Sequence, residues 1–211
     1  MKQLLIISLI IAAGAVLPLA SQEKDVAKEV SNPVFLPKPL DDDWTRWIVG
    51  EWEGSGESDA GKGKFRVKAE LDLNGQFLIM KGQAEITEIS SEYLKDTMNA
   101  TDEELEKFQG SVFKSLQLYT IDPKTGEIIG YLFDSLRCIA TGRGKRDGNK
   151  EIMEWQWSGN GQGTSIGITE KVDNDKLIFT EKYTLPDGSI MEDKGQMTRC
   201  KKTAISRDEQ K

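Results

Sequence analysis

The sequence predicts an all-β fold: an antiparallel calycin- or lipocalin-like β-barrel of about ten strands, with a short N-terminal plug helix and one helical insertion. Three observations predict it. Gly50-Glu51-Trp52-Glu53-Gly54-Ser55-Gly56-Glu57 alternates between an acidic face and a face carrying one indole among glycines. Residues 64–73 alternate again, Phe65, Val67, Ala69, Leu71 and Leu73 against Lys64, Arg66, Lys68, Glu70 and Asp72. Asn74-Gly75 follows, a strong hairpin signal of type I′. Short strand-like runs then recur to residue 200, separated by turn residues such as Asp147-Gly148-Asn149 and Pro186-Asp187-Gly188.

Residues 1–20 read as a cleaved signal peptide. Lys2 precedes an apolar run over 4–19, broken only by Ser8, Gly14 and Pro18, and the small residues Ala20 and Ser21 follow. A retained membrane anchor would need a longer run. The expected chain is therefore periplasmic or secreted, with no integral membrane segment after cleavage. Residues 21–40 hold Pro33, Pro37 and Pro39 with little apolar periodicity, the composition of a flexible linker. The barrel domain is expected over 41–200, and 201–211 form a charged tail.

Charge narrows the partners. With 28 Lys and Arg against 35 Asp and Glu, the net charge is −7. Such a chain suits neither nucleic acid nor an anionic lipid surface. The basic run Arg143-Gly144-Lys145-Arg146 is read as a hairpin tip, because Asp147-Gly148 follows it directly.

Asp41-Asp42-Asp43 is read as the acidic start of a short helix, where the dipole favours carboxylates, and not as a metal site. Trp44, Trp47 and Ile48 share one side of that helix, which would plug one end of the barrel. The return strand of the hairpin spans 76–89. Residues 90–109 are a helical excursion: Thr101 with Glu104 forms a capping box, and Leu105 and Phe108 share a face. A lid over the barrel mouth and a surface insertion without function are both open for it. Further strands are expected at 112–121, 127–134, 136–142, 151–158, 164–172, 176–185 and 189–200. Asp173-Asn174-Asp175 lacks the Gly and the distant Glu of a calcium loop and is read as a hairpin tip.

There is no histidine. The commonest general base, the usual hydrolase triad and the usual haem or zinc ligand go with it, so no cofactor and no metal is expected. Carboxylates, Tyr, Lys and Arg remain. Parity places Met153, Trp155 and Trp157 on one face, and Leu177, Phe179, Glu181 and Tyr183 on another, which makes Glu181 a carboxylate on an apolar side. The strand ending at Asp134 is mixed on both faces. Cys138 and Cys200 are expected as free thiols, because their strands are not neighbours in an up-and-down barrel and a bridge needs Cα atoms within about 7 Å.

Gly50-x-Trp52 after a short helix, with Arg199 near the end of the last strand, resembles the calycin pattern, which implies an Arg lying across the Trp to close the base. The segments Trp47-Ile48-Val49-Gly50-Glu51-Trp52-Glu53-Gly54, Leu73-Asn74-Gly75-Gln76-Phe77-Leu78, Asp122-Pro123-x-Thr125-Gly126 with Asp134-Ser135, Asp187-Gly188 and Met197-Thr198-Arg199 resemble a bacterial family catalogued as domain of unknown function 1579. The likeness runs from Trp44 to Arg199 and implies a calycin-like barrel of unestablished activity. The Gly-x-Trp-x-Gly-x-Gly run is also similar to nitrobindin barrels. Their haem hangs on a histidine, so haem carriage is not implied for this chain.

Three functions stay open at this point. The leading expectation is an exported binding protein that holds a small apolar or amphipathic molecule among Trp52, Phe77, Tyr131, Trp155 and Trp157, with Asp134, Glu181 and Arg199 as the polar candidates. The alternative is an enzyme using Asp134 or Glu181 with Arg199 or a Tyr. The third is a filled core: about eight strands can be filled by side chains, whereas about ten leave space inside.

Overall fold

Residues 37–201 are described by the computed structural model, so the leader, the first part of the linker and the end of the tail lie outside the described residues. The alternating segments become β1 (Gly50–Ser58), β2 (Gly61–Asp72), β3 (Phe77–Ile89), β4 (Val112–Ile121), β5 (Ile128–Asp134), β6 (Cys138–Asp147), β7 (Lys150–Gly159), β8 (Gly163–Lys171), β9 (Lys176–Thr184) and β10 (Ile190–Arg199). Each strand is antiparallel to the next, and β10 returns to β1, so the sheet closes into a ten-stranded barrel without free edges. Closure rests on the glycine face of β1. A Cβ at Gly54 would lie 2.0 Å from the carbonyl oxygen of Gln196, so only glycine lets β10 approach this closely.

Helix α1 (Asp43–Ile48) plugs the end at which β1 begins. Asp42 caps it, accepting from the Thr45 backbone N–H at 2.8 Å and from the Thr45 hydroxyl at 2.7 Å. Burial opposes ionisation of Asp42, yet these hydrogen bonds and the nearby Arg146 charge outweigh it and lower its pKa. Trp44, Trp47 and Ile48 are buried, and Trp47 meets Trp44 and Trp52 edge-on at 5.0 and 5.3 Å. Residues 37–40 lie against the β2–β3 turn, where Leu40 N–H donates to Gly75 O at 2.8 Å.

At the other end the excursion folds as two helices, α2 (Ser91–Met98) and α3 (Asp102–Phe108); the sequence signals pointed to the second alone. Thr101 and Glu104 form the capping box of α3. Leu94, Ala100 and Leu105 pack on Ala60 and Ile89, beside the β1–β2 turn and the end of β3.

Three local expectations are corrected. Positive φ falls at Leu73, Asn74 and Gly75 (49°, 58° and 76°), so the turn opens one residue earlier than Asn74-Gly75 predicts. Leu71 and Leu73 are therefore past the barrel core and exposed. The basic run is not a hairpin tip. Arg143 to Arg146 continue β6, where Arg143 pairs with Glu127 and Arg146 with Asp42 and Glu151. The thiol expectation holds: Cys138 and Cys200 are both free, Cys138 opening β6 and Cys200 following β10, which is not a neighbour of β6.

Candidate functional site

The barrel interior is not completely filled. A cavity of about 190 Å³ lies above Trp44 and Ile48 of the plug. One part of its wall is aliphatic and apolar, built from Val67, Leu78, Met80, Leu177 and Met197 with Phe65. Tyr119, Leu132, Met153, Trp155, Trp157, Phe179 and Tyr183 add an aromatic part to it. The aromatic wall follows from alternation in β7, where Met153, Trp155 and Trp157 point in and Glu154 and Gln156 point out. Opposite Trp155 on β6 stands Gly142, whose absent Cβ leaves room for the indole.

Polar groups enter this wall at defined points. Tyr119 donates its hydroxyl to Gln117 Oε1 at 2.8 Å and meets Trp155 edge-on at 6.0 Å. Trp157 Nε1 donates to Ser165 Oγ at 2.8 Å, and Ser165 in turn donates to Glu181 Oε1 at 2.5 Å. Glu151 accepts from Arg146 Nε at 3.1 Å; burial raises its pKa and the Arg146 charge opposes the rise. Glu181 is pushed up to about 7 by burial, against the Ser165 hydrogen bond. Asp193, 1% exposed, is also pushed up to about 7, first by burial and then by the Glu181 charge. The hydroxyls of Ser58 and Tyr183 act on the Asp193 carboxylate, yet neither of its oxygens has a hydrogen bond of good geometry. Burial, followed by these carboxylates, holds the phenol pKa of Tyr183 well above the usual range.

Of the residues singled out from sequence, Trp155, Trp157 and Glu181 meet at this cavity. Trp52 points inward but belongs to the plug packing. It is wholly buried, donates Nε1 to Ile48 O at 2.8 Å, and does not line the cavity. Arg199 lies across it, the guanidinium carbon 4.3 Å from the ring centroid. Arg199 also donates to Val49 O at 2.9 Å and Trp47 O at 2.5 Å, tying the last strand to the plug. Phe77 has the wrong parity, since Leu78 and Met80 of the same strand face the cavity. Tyr131 stands outside, 42% exposed, because Ile128, Gly130 and Leu132 take the inner face of β5. Asp134 serves a turn at the far end, where Oδ1 accepts from the N–H groups of Leu136 (2.7 Å) and Cys138 (2.9 Å). Asp134 and Arg199 are thus at opposite ends of the barrel, and neither reaches Glu181; only the combination of Glu181 with a Tyr is assembled.

The residue that sequence reasoning passed over is Asp193. It shares the inward parity of Met191 and Met197 on β10, which was the available signal. Among the described residues, no group of three or more His, Cys, Asp or Glu side chains is placed to hold a metal ion. None of the described helices is long and apolar enough to cross a membrane.

Neither a protein-family model nor a curated protein matches the chain. Among solved structures, the S-type phycobiliprotein lyase CPES from Guillardia theta superposes with a TM-score of 0.52 at 9% identity, over 76% of this chain and 92% of that one. It shares the barrel fold. A structure of EF1p2_mFAP2b bound to DFHBI aligns at 8% identity over 74% of this chain and 95% of that one, with a TM-score of 0.35.

Proposed function

We propose that this chain is a small-molecule-binding protein whose ligand occupies the cavity above the plug. One observation carries the reading: a closed ten-stranded barrel, sealed at one end by α1, keeps about 190 Å³ free between aromatic walls. Simple close packing would have filled that space. The size sets the ligand. An engineered apolar cavity of ~150 Å³ in another protein holds benzene, so this one suits a single ring or a short chain with a small arm. Apolar walls with a few placed polar groups are what such sites have in common. The lyase shares the barrel and supports the architecture alone. We further propose that the protein works after export, as the leader in 1–20 suggests, and that it belongs with the calycin-like family its motifs resemble.

The test is a titration of intrinsic Trp emission with neutral one-ring molecules such as benzyl alcohol and cyclohexanol. Saturable quenching is expected, and Val67→Phe, which projects a ring into the cavity, should abolish it. Absence of saturable quenching across the series overturns the reading in favour of an inert core. For export, secretion of the full-length chain by a Gram-negative host should yield an N-terminus near Ser21 or Gln22; uncleaved chain in the membrane fraction would contradict it.

A further inference from the structure

The charges that line the cavity are all of one sign. Glu151, Glu181 and Asp193 contribute to the wall, and among the described residues no Lys or Arg does. Glu151 has its counter-ion in Arg146. Among the described residues the other two have no counter-ion: Glu181 accepts from the Ser165 hydroxyl, and Asp193 is buried with the Ser58 and Tyr183 hydroxyls acting on it but no hydrogen bond of good geometry. These two residues are direct cross-strand partners of β9 and β10. Their Cα atoms are then about 4.5–5.5 Å apart, with both side chains on the inner face, where like charges repel.

The fold makes room for this arrangement. A Cβ at Gly167, the β8 partner of Glu181, would lie 2.3 Å from Glu181 Oε2, so the missing side chain is the space that the carboxylate fills. Phe179 and Tyr183 flank Glu181 on the same face of β9, and Trp157 approaches through Ser165. A paired buried carboxylate with aromatic rings around it is the setting that favours an organic cation, since ring faces and carboxylates both attract positive charge.

We propose that the ligand is a small protonated amine, its ammonium seated between Glu181 and Asp193 and its apolar body against Trp155 and the apolar wall. This rests on the cavity-binding reading above and adds the charge of the ligand to it. An apolar ligand would leave both carboxylates without a counter-ion, a costly state for buried charge. The other groups around the pair are Ser58 and Asp59 at the end of β1, Ser165 of β8, and Tyr119 and Tyr183, none of which is cationic.

The experiment compares benzylamine with benzyl alcohol, matched in size, by calorimetric titration of the purified protein. Benzylamine should bind roughly tenfold to a hundredfold more tightly, as a charge-assisted contact predicts. Its affinity should rise from about pH 5.5 to about pH 8 as the pair ionises, while the alcohol shows no such rise. Asp193→Asn and Glu181→Gln should each shrink the amine-to-alcohol ratio, and the comparison on the unaltered protein stands even if a variant misfolds. Equal binding of the two probes overturns the amine and leaves the binding barrel in place. Binding of neither overturns both.

Discussion

Replacing Asp193 by Asn should make the protein more stable at alkaline pH, the reverse of the usual outcome for a buried residue. The sign follows from linkage. An aspartate whose folded pKa is about 7, against an ordinary 3.8, binds more protons in the folded state throughout that interval. Stability contributed by the group is therefore full below the unfolded value and is lost as pH rises through the folded one. Roughly three pH units at ~1.4 kcal/mol each put the loss on the order of 4 kcal/mol by pH 8. Asn removes that loss but leaves an amide to satisfy, a cost of about 1–3 kcal/mol that the hydroxyls of Ser58 and Tyr183 can reduce. The expected net gain at pH 8 is about 1–3 kcal/mol, or roughly 2–4 °C in melting temperature for each kcal/mol. At pH 4.5 the gain should vanish or change sign. The assay is urea unfolding of both proteins at several pH values between about 4.5 and 8.5. A variant that is equally destabilised across that range would refute the reasoning, because Asp193 would then be held by hydrogen bonds and not strained by its charge.

Other outcomes follow from the plug end and the thiols. Trp52→Phe and Arg199→Lys should show a coupling energy of about 0.5–2 kcal/mol in a double-mutant cycle, since Lys lacks the flat group that covers the indole; strictly additive losses would separate the two residues. Burial pushes the Cys138 thiol up to about 12, so a thiol reagent should modify the partly exposed Cys200 in native protein and reach Cys138 only on unfolding. If neither reacts until reductant is added, even in denatured protein, the two are bridged.

The barrel was legible because its strands carry their own phase. In β2 and β7 the two faces differ so sharply, Val67 against Lys68 and Trp155 against Glu154, that only one register buries the apolar set. The base was legible too, since Gly50-x-Trp52 and Arg199 fall opposite each other when the strands close. Phase was lost where both faces are apolar. In β5, Tyr131 and Phe133 compete with Ile128 and Leu132, and at the start of β3 Phe77, Leu78, Ile79 and Met80 run without a break. Only the neighbouring strands decide which set turns inward. Asp193 was hidden differently: between Glu192 and Lys194 it reads as one more solvated charge, and its place beside Glu181 follows only from the register of another strand.

The central claim, a barrel that carries a small molecule, is tested most directly by native mass spectrometry of protein purified without denaturation from the organism that makes it. The account predicts a one-to-one adduct of low mass, the size of a single ring with a short arm, that leaves on activation and carries a basic nitrogen. A spectrum showing only the bare polypeptide, preparation after preparation, would contradict it.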